Sequence, residues 1–188
     1  IFGAAGIAIG LALQGSLSNF AGGLLILIFK PFKVGDLIKV NDKLGDVVKL
    51  DILYTRIRTF DGRIITMPNG NVSNSDVDNR TMEKHRRIDL KLKFNYDSDF
   101  DKLRRIITEA MLEHPKVIRE LETDVRMDQI GEYEIQVVAR SWVESTDYWP
   151  MYWVQLEAVK NALDKAGIEI PYPRRTVFQG EVNTKKAL

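Results

Sequence analysis

The first 29 residues contain no charged side chain, and the first charge along the chain is Lys30. Glycine and alanine are frequent in this run, and four polar residues interrupt it: Gln14, Ser16, Ser18 and Asn19. An uncharged apolar run of this length predicts a helix that crosses a membrane. Its many small residues indicate that another helix backbone lies close to it. Residues 1–31 are therefore interpreted as a transmembrane helix.

A helical wheel at about 100° per residue separates the small residues of this run into two faces. One face carries Gly3, Gly6 and Gly10, and the other carries Ala4, Ala8 and Ala12. A narrow strip between the two faces holds Ile7 and Leu11. Bulky residues occupy the opposite side: Phe2, Ile9 and Leu13.

Two different small-residue faces on one helix favour a head-to-tail contact between copies, which closes into a ring when the rotation fits. The strip with Ile7 and Leu11 would then point at the axis and form two apolar rings. A narrow hydrophobic constriction stops ion flow by dewetting. The alternative is an ordinary membrane or core helix, in which Gly6 and Gly10 form a simple dimer contact.

Gln14, Gly15 and Ser16 break the pattern of the helix. A straight helix to Phe29 would measure about 43 Å, whereas the hydrocarbon core of a bilayer is about 30 Å thick. A kink near Gly15 resolves this mismatch, since Gly–Ser pairs are frequent kink sites. In the second half, apolar residues recur on one side at Leu17, Phe20, Leu24 and Ile28. This half is expected to lie along the membrane surface or to pack on the next domain.

The remainder of the chain is predicted to lie in the cytoplasm, because Lys30, Lys33 and Lys39 directly follow the helix. Residues 32–82 are interpreted as an all-β domain, a small barrel or an open sheet, with strand patterns over 36–40, 46–60 and 63–67. Asp61–Gly62 predicts a hairpin, and Pro68–Gly70 predicts a further turn.

Residues 83–173 are interpreted as an α+β, ferredoxin-like domain with the order β-α-β-β-α-(β). Its first helix is expected to be capped by Ser98 and to end at Pro115, and its second to run over 147–166 and end at Gly167. The second helix is expected to turn four residues inward: Trp153, Leu156, Val159 and Leu163. The tail, 174–188, contains one strand candidate at 176–179.

Composition excludes several function classes. The formal net charge of +1 gives no support for a nucleic-acid partner, and the absence of cysteine excludes disulfides and thiolate metal sites. The two histidines, His85 and His114, have no evident ligand set, and no catalytic or phosphate-binding motif is present. We therefore expect no enzyme activity, no cofactor and no metal. Because the chain begins with Ile inside the apolar run, it is expected to be part of a longer protein.

Several motifs together resemble one family. They are the run from Gly3 to Asn19, Lys30–Phe32, Gly35–Asp36, Met67–Gly70 and Asn95–Asp99. This set is similar to the bacterial mechanosensitive channel of small conductance, the MscS family, from its third, pore-lining membrane helix onward.

The resemblance implies a homoheptamer in the bacterial inner membrane that tension opens to release ions and small osmolytes. It implies that Ile7 and Leu11 form the gate, where the family commonly has leucine. Gln14 and Gly15 match its kink, and Asn19 and Gly23 match its coupling region. It further implies an Sm-like β domain, a cytoplasmic cage and a C-terminal β barrel. The alternative is a membrane-anchored oligomeric module that binds RNA or a regulator without channel activity.

Overall fold

The structure is a computed structural model. It describes residues 2–169 and residue 171, and the side chains of these residues except those at positions 2, 4 and 5. The chain divides into two compact units, residues 1–84 and residues 85–188. The predicted tail strand over 176–179 lies outside the described residues.

The first unit begins with one long helix, α1 (Phe2–Phe29), of 28 residues. The helix continues through Gln14, Gly15 and Ser16 without interruption, so the kink assigned to this position remains a prediction. It ends where Lys30 adopts a left-handed conformation, with φ of 48°, and Pro31 follows. Proline cannot continue the helix because it lacks a backbone N–H.

Five strands follow α1 and form one antiparallel sheet in the order β4-β3-β2-β1-β5. They are β1 (Leu37–Val40), β2 (Lys43–Leu50), β3 (Tyr54–Arg58), β4 (Ile64–Pro68) and β5 (Val77–Asn79). The expected hairpin at Asp61–Gly62 is confirmed: Arg58 pairs with Ile64, and Gly62 has φ of 85°. The expected turn over Pro68–Gly70 is wrong in part, because a short helix, α2 (Asn69–Ser73), starts at Asn69.

The alternating pattern over 46–60 is not one strand. It covers β2 and β3, which are antiparallel neighbours joined by a turn at 51–53, where the Asp51 N–H donates to the Tyr54 carbonyl at 2.8 Å. The sequence pattern concealed the turn because the alternation resumes in phase after it. The core of this unit combines strand residues with Ile26 of α1 and with Phe32, which is 2% exposed.

The second unit follows the β-α-β-β-α order expected for a ferredoxin-like domain. Its elements are β6 (His85–Phe94), α3 (Phe100–Leu112), β7 (Asp124–Ile130), β8 (Ile135–Glu144), a 3-10 helix (Ser145–Asp147) and α4 (Tyr148–Lys165). The strands pair antiparallel in the order β6-β8-β7. Residues of both helices and all three strands form its core.

Two details of the second unit differ from the sequence-based expectations. The residue that caps α3 is Asp99, not Ser98: its side chain accepts hydrogen bonds from the N–H groups of Asp101 and Lys102, both at 3.1 Å. Trp153 is 56% exposed, whereas the buried stripe of α4 contains Met151, Gln155, Val159 and Leu163. Trp153 lies about 200° around the helix from Met151, so it faces away from the buried stripe.

The end of α4 is as expected. Gly167, with φ of 68°, donates its N–H to the Asp164 carbonyl, and the Ile168 N–H donates to the Leu163 carbonyl, both at 3.0 Å. This pair of bonds is a Schellman motif, which satisfies carbonyls at the end of a helix and favours glycine.

Candidate pore helix and its attachment to the β domain

The first half of α1 is apolar and uncovered. Ile7 and Leu11 are each 67% exposed within this chain, and Ile9 and Leu13 on the other side are also exposed. Residues 6–29 of α1 are long and apolar enough to cross a membrane. Large uncovered apolar surface on a helix indicates an apolar solvent or a partner.

The glycines of the first half have open space around them among the described residues. A Cβ atom added at Gly3, Gly6, Gly10 or Gly15 would meet nothing within 4 Å in the part of the chain that the structure describes. Ala8 and Ala12 are exposed, and the side chain of Ala4 lies outside the description. Glycine inside a helix costs about 0.5–1 kcal/mol relative to alanine. Nothing in the described part of this chain offsets that cost, which favours a contact with another chain.

The second half of α1 is attached to the β domain by one face. This face carries Asn19, Gly22, Gly23 and Ile26, and Ile26 is 3% exposed in the β-domain core. The sequence left two options for this half, and the structure places it against α2 and the turn at 51–53. The other side of the helix, with Leu17, Phe20, Leu24 and Ile28, remains exposed.

Gly22 and Gly23 allow this attachment because they have no side chain. A Cβ at Gly22 would lie 2.6 Å from the Asn69 carbonyl oxygen, and one at Gly23 would overlap the Ile52 carbonyl oxygen. Backbone atoms cannot rotate away as a flexible side chain can. Alanine at either position would therefore force the helix off α2 or off the turn.

Asn69 organises the β-domain side of this contact. It is 1% exposed, accepts a hydrogen bond from the Thr55 hydroxyl at 2.7 Å and donates to the Asp51 carbonyl at 2.8 Å. The next residue, Gly70, donates its N–H to Asn19 Oδ1 of α1 at 3.0 Å. A polar network therefore links α1 to α2, β3 and the turn at 51–53.

Sequence reasoning included Asn19 and Gly23 but missed Asn69, Thr55 and Gly22 as parts of this contact. Asn69 was assigned to a turn because Pro68, Asn69 and Gly70 are all common turn residues. The available signal was Thr55, a polar residue at a strand position. The structure buries Thr55 completely. A buried hydroxyl requires a partner, and Asn69 supplies it.

The acidic side chain at the attachment is ion-paired. The Asp51 carboxylate pairs with Lys49 Nζ at 2.8 Å, and the hydrogen bond from Lys49 lowers the pKa of Asp51 below its usual value. Asp51 therefore remains ionised at neutral pH. Within residues 2–169, no group of three or more acidic or histidine side chains is arranged to hold a metal ion.

Comparison with known proteins decides the family. A model of the mechanosensitive ion channel β-domain matches residues 15–82, and a model of the MscS C-terminal domain matches residues 88–170. The crystal structure of Helicobacter pylori MscS in its closed state is 31% identical, with a TM-score of 0.88, over 95% of this chain and 71% of that one. This chain belongs to the MscS family.

Relatives in other organisms agree with this assignment. The small-conductance mechanosensitive channel of Edwardsiella ictaluri is 35% identical over 93% of this chain and 61% of its own length. The channel MscMJ of Methanocaldococcus jannaschii is 32% identical over 94% of this chain and 51% of its own length. The MscS chain thus spans between half and two thirds of these relatives.

Proposed function

We propose that this chain is the pore-forming and cytoplasmic part of a mechanosensitive channel subunit, which membrane tension opens to release ions and small osmolytes. The observation that supports this most directly is the contrast between the two halves of α1. The second half is anchored to the β domain, whereas the first half presents apolar and glycine surfaces with no partner among the described residues. Relatives named small-conductance mechanosensitive channels support the same activity.

In the proposed assembly, copies of α1 form a ring, with seven subunits by resemblance to the family. The face with Gly3, Gly6 and Gly10 meets the face with Ala4, Ala8 and Ala12 of the next copy. Close packing of small residues is a common basis for helix association in membranes. The ring directs Ile7 and Leu11 at the axis, and their side chains close the pore by dewetting.

Opening has an energetic requirement. A stretched membrane favours the state with the larger area, and this gain must exceed the loss of the Gly–Ala contacts and the cost of hydrating the Ile7 and Leu11 rings. Gln14 and Gly15 are the proposed site where the axis changes direction. Asn19 and Gly23 are proposed to couple the moving helix to the β domain, in line with their contacts to α2 and the turn at 51–53.

The proposed location is the bacterial inner membrane, with the residues after about 30 in the cytoplasm. Lys30 and Lys33 support this orientation, because positive charges that directly follow a membrane helix favour the cytoplasmic side. The lipid bilayer and other copies of the chain are the proposed partners, and no nucleic acid is involved.

A matched pair of substitutions tests the gate. Leu11→Ser is expected to lower the tension needed for opening, because a hydroxyl in the constriction favours its hydration. Leu13→Ser makes the same chemical change on the opposite side of α1 and is not expected to lower that tension. Patch recording of both full-length variants in liposomes under suction measures the difference. Equal opening tensions for wild type and Leu11→Ser would contradict the gate assignment.

A further inference from the structure

A short segment connects the end of α1 to β1, and it is held by side chains rather than by a strand. Lys33 to Asp36 form a turn in which the Asp36 N–H donates to the Lys33 carbonyl at 3.1 Å. Gly35 has φ of 97°, which the third position of a type II turn requires. Phe32, just before the turn, is buried in the β-domain core.

Asp36 is the buried acceptor of this segment, with 6% of its surface exposed. One carboxylate oxygen, Oδ2, accepts from the Lys33 N–H at 3.0 Å and from Asn79 Nδ2 at 2.8 Å. A buried carboxylate is costly without such partners. The two bonds therefore tie the turn after α1 to the end of β5.

Asn79 uses its whole side-chain amide in this arrangement. Nδ2 donates to Asp36 and also to the Pro31 carbonyl at 3.2 Å, and Oδ1 accepts from the N–H groups of Thr81 and Met82 at 3.1 and 3.0 Å. An amide has two donor hydrogens and two acceptor lone pairs, and all four are occupied. Aspartate, which has the same shape but no donor, cannot replace it.

This network joins two segments that are far apart in sequence. Pro31 is two residues after the last residue of α1, and Thr81 and Met82 lie just before the end of the first unit. The Leu37 N–H also donates to the Thr81 hydroxyl at 3.0 Å, which adds a second tie between the same segments. The entry to the β domain and the exit from it are thus fixed to each other by Asp36 and Asn79.

We propose that Asp36 and Asn79 are positioning residues for gating. They hold the C-terminal end of α1 in place on the β domain, so that tension moves the first half of the helix about a fixed end. This role rests on the proposed channel function. When the Asp36–Asn79 hydrogen bond is broken, membrane tension displaces the C-terminal end of α1 in addition to moving its first half. Less of the tension then separates the gate residues of neighbouring copies, so opening requires higher tension.

Three variants of the full-length channel test this role by patch recording. Asn79→Asp removes both donors and places two carboxylates against each other, and Asp36→Ala removes the acceptor; both are expected to shift opening to higher tension. Asp36→Asn can place its amide oxygen where Oδ2 lies, keeps both bonds and is expected to behave as wild type. Asn41→Asp is the matched control, an exposed asparagine of the same unit that lies outside α1 and α2.

Two readouts separate positioning from folding. The expected result is a changed opening tension with the wild-type unitary conductance, because the pore itself is intact. The double variant Asp36→Ala/Asn79→Asp should shift the tension by less than the sum of the two single shifts, since each change alone already removes the Asp36–Asn79 bond. Asp36→Ala leaves the Asn79 bonds to Pro31, Thr81 and Met82 in place. It therefore tests the positioning role by itself if Asn79→Asp does not assemble.

Other results would overturn the positioning role of Asp36 and Asn79. Wild-type opening tension in Asp36→Ala, or shifts in the two single variants that simply add, would overturn the positioning role. Asp36→Asn behaving as badly as Asp36→Ala would also overturn it, since the hydrogen bonds would then not be the cause. If the wild-type channel itself gave no tension-activated current, the proposed function would fail before this inference was reached.

Discussion

Glycine has opposite surroundings at the two ends of α1. Gly22 and Gly23 lie against backbone atoms of the β domain, whereas Gly3, Gly6, Gly10 and Gly15 have open space around them as far as residues 2–169 are concerned. At Gly22 and Gly23, the missing side chain permits a close contact between α1 and the β domain of the same subunit. At the other four positions, no contact among the described residues of the subunit explains why the residue is glycine.

The residue-scale prediction compares Gly23→Ala with Gly15→Ala. The added methyl at position 23 would overlap the Ile52 carbonyl oxygen, so Gly23→Ala should lower the stability of the first unit by roughly 1–3 kcal/mol. The methyl of Gly15→Ala meets none of the atoms that the structure describes, and this change should keep or raise helix stability by up to about 1 kcal/mol. Thermal unfolding of the two purified variants measures the difference. Similar midpoints would mean that the helix does not approach the turn as closely as described.

Single residues show where sequence reasoning succeeded and where it failed. Gly167 was correctly predicted as the end of α4, because positive φ and glycine are tightly linked. Asn69 and Trp153 were misassigned, because their environment depends on which distant segment covers them. The gate residues Ile7 and Leu11 remain predictions, since the assembly that would place them at an axis is not part of a single chain.

Secondary-structure elements were predicted well where the pattern was local. The long helix, the Asp61–Gly62 hairpin and the β-α-β-β-α order of the second unit all follow from periodicity and turn residues. The boundary between β2 and β3 did not, because the period-two pattern continues across the turn at 51–53. Packing of the second half of α1 on the next domain was one of two options, but its partner α2 was not predicted, since the contact joins segments about 50 residues apart.

The element-scale prediction concerns the start of α3. Asp99 accepts from two N–H groups of the first turn, so Asp99→Ala should destabilise the second unit by about 1 kcal/mol. Ser98→Ala, at the position that the sequence pattern favoured, should have little effect. Thermal unfolding of both variants distinguishes the two residues. A larger loss for Ser98→Ala than for Asp99→Ala would mean that Ser98 is the residue that caps α3.

At the scale of the whole molecule, contacts among the described residues of one subunit do not explain the exposed apolar surface of α1. An apolar helix with open glycines is anchored at one end to a β domain and exposed at the other. Membership of the MscS family supplies a consistent explanation, in which copies of α1 surround a pore. In the proposed channel, the first half of α1 gates, and the second half transmits the position of the helix to the β domain.

The most direct test is a patch recording of the full-length wild-type protein, reconstituted in liposomes and placed under suction. The account predicts stepwise openings of uniform conductance whose frequency rises with membrane tension, and none at rest. Silence up to the tension at which patches rupture, from protein confirmed to be assembled in the membrane, would contradict the channel function.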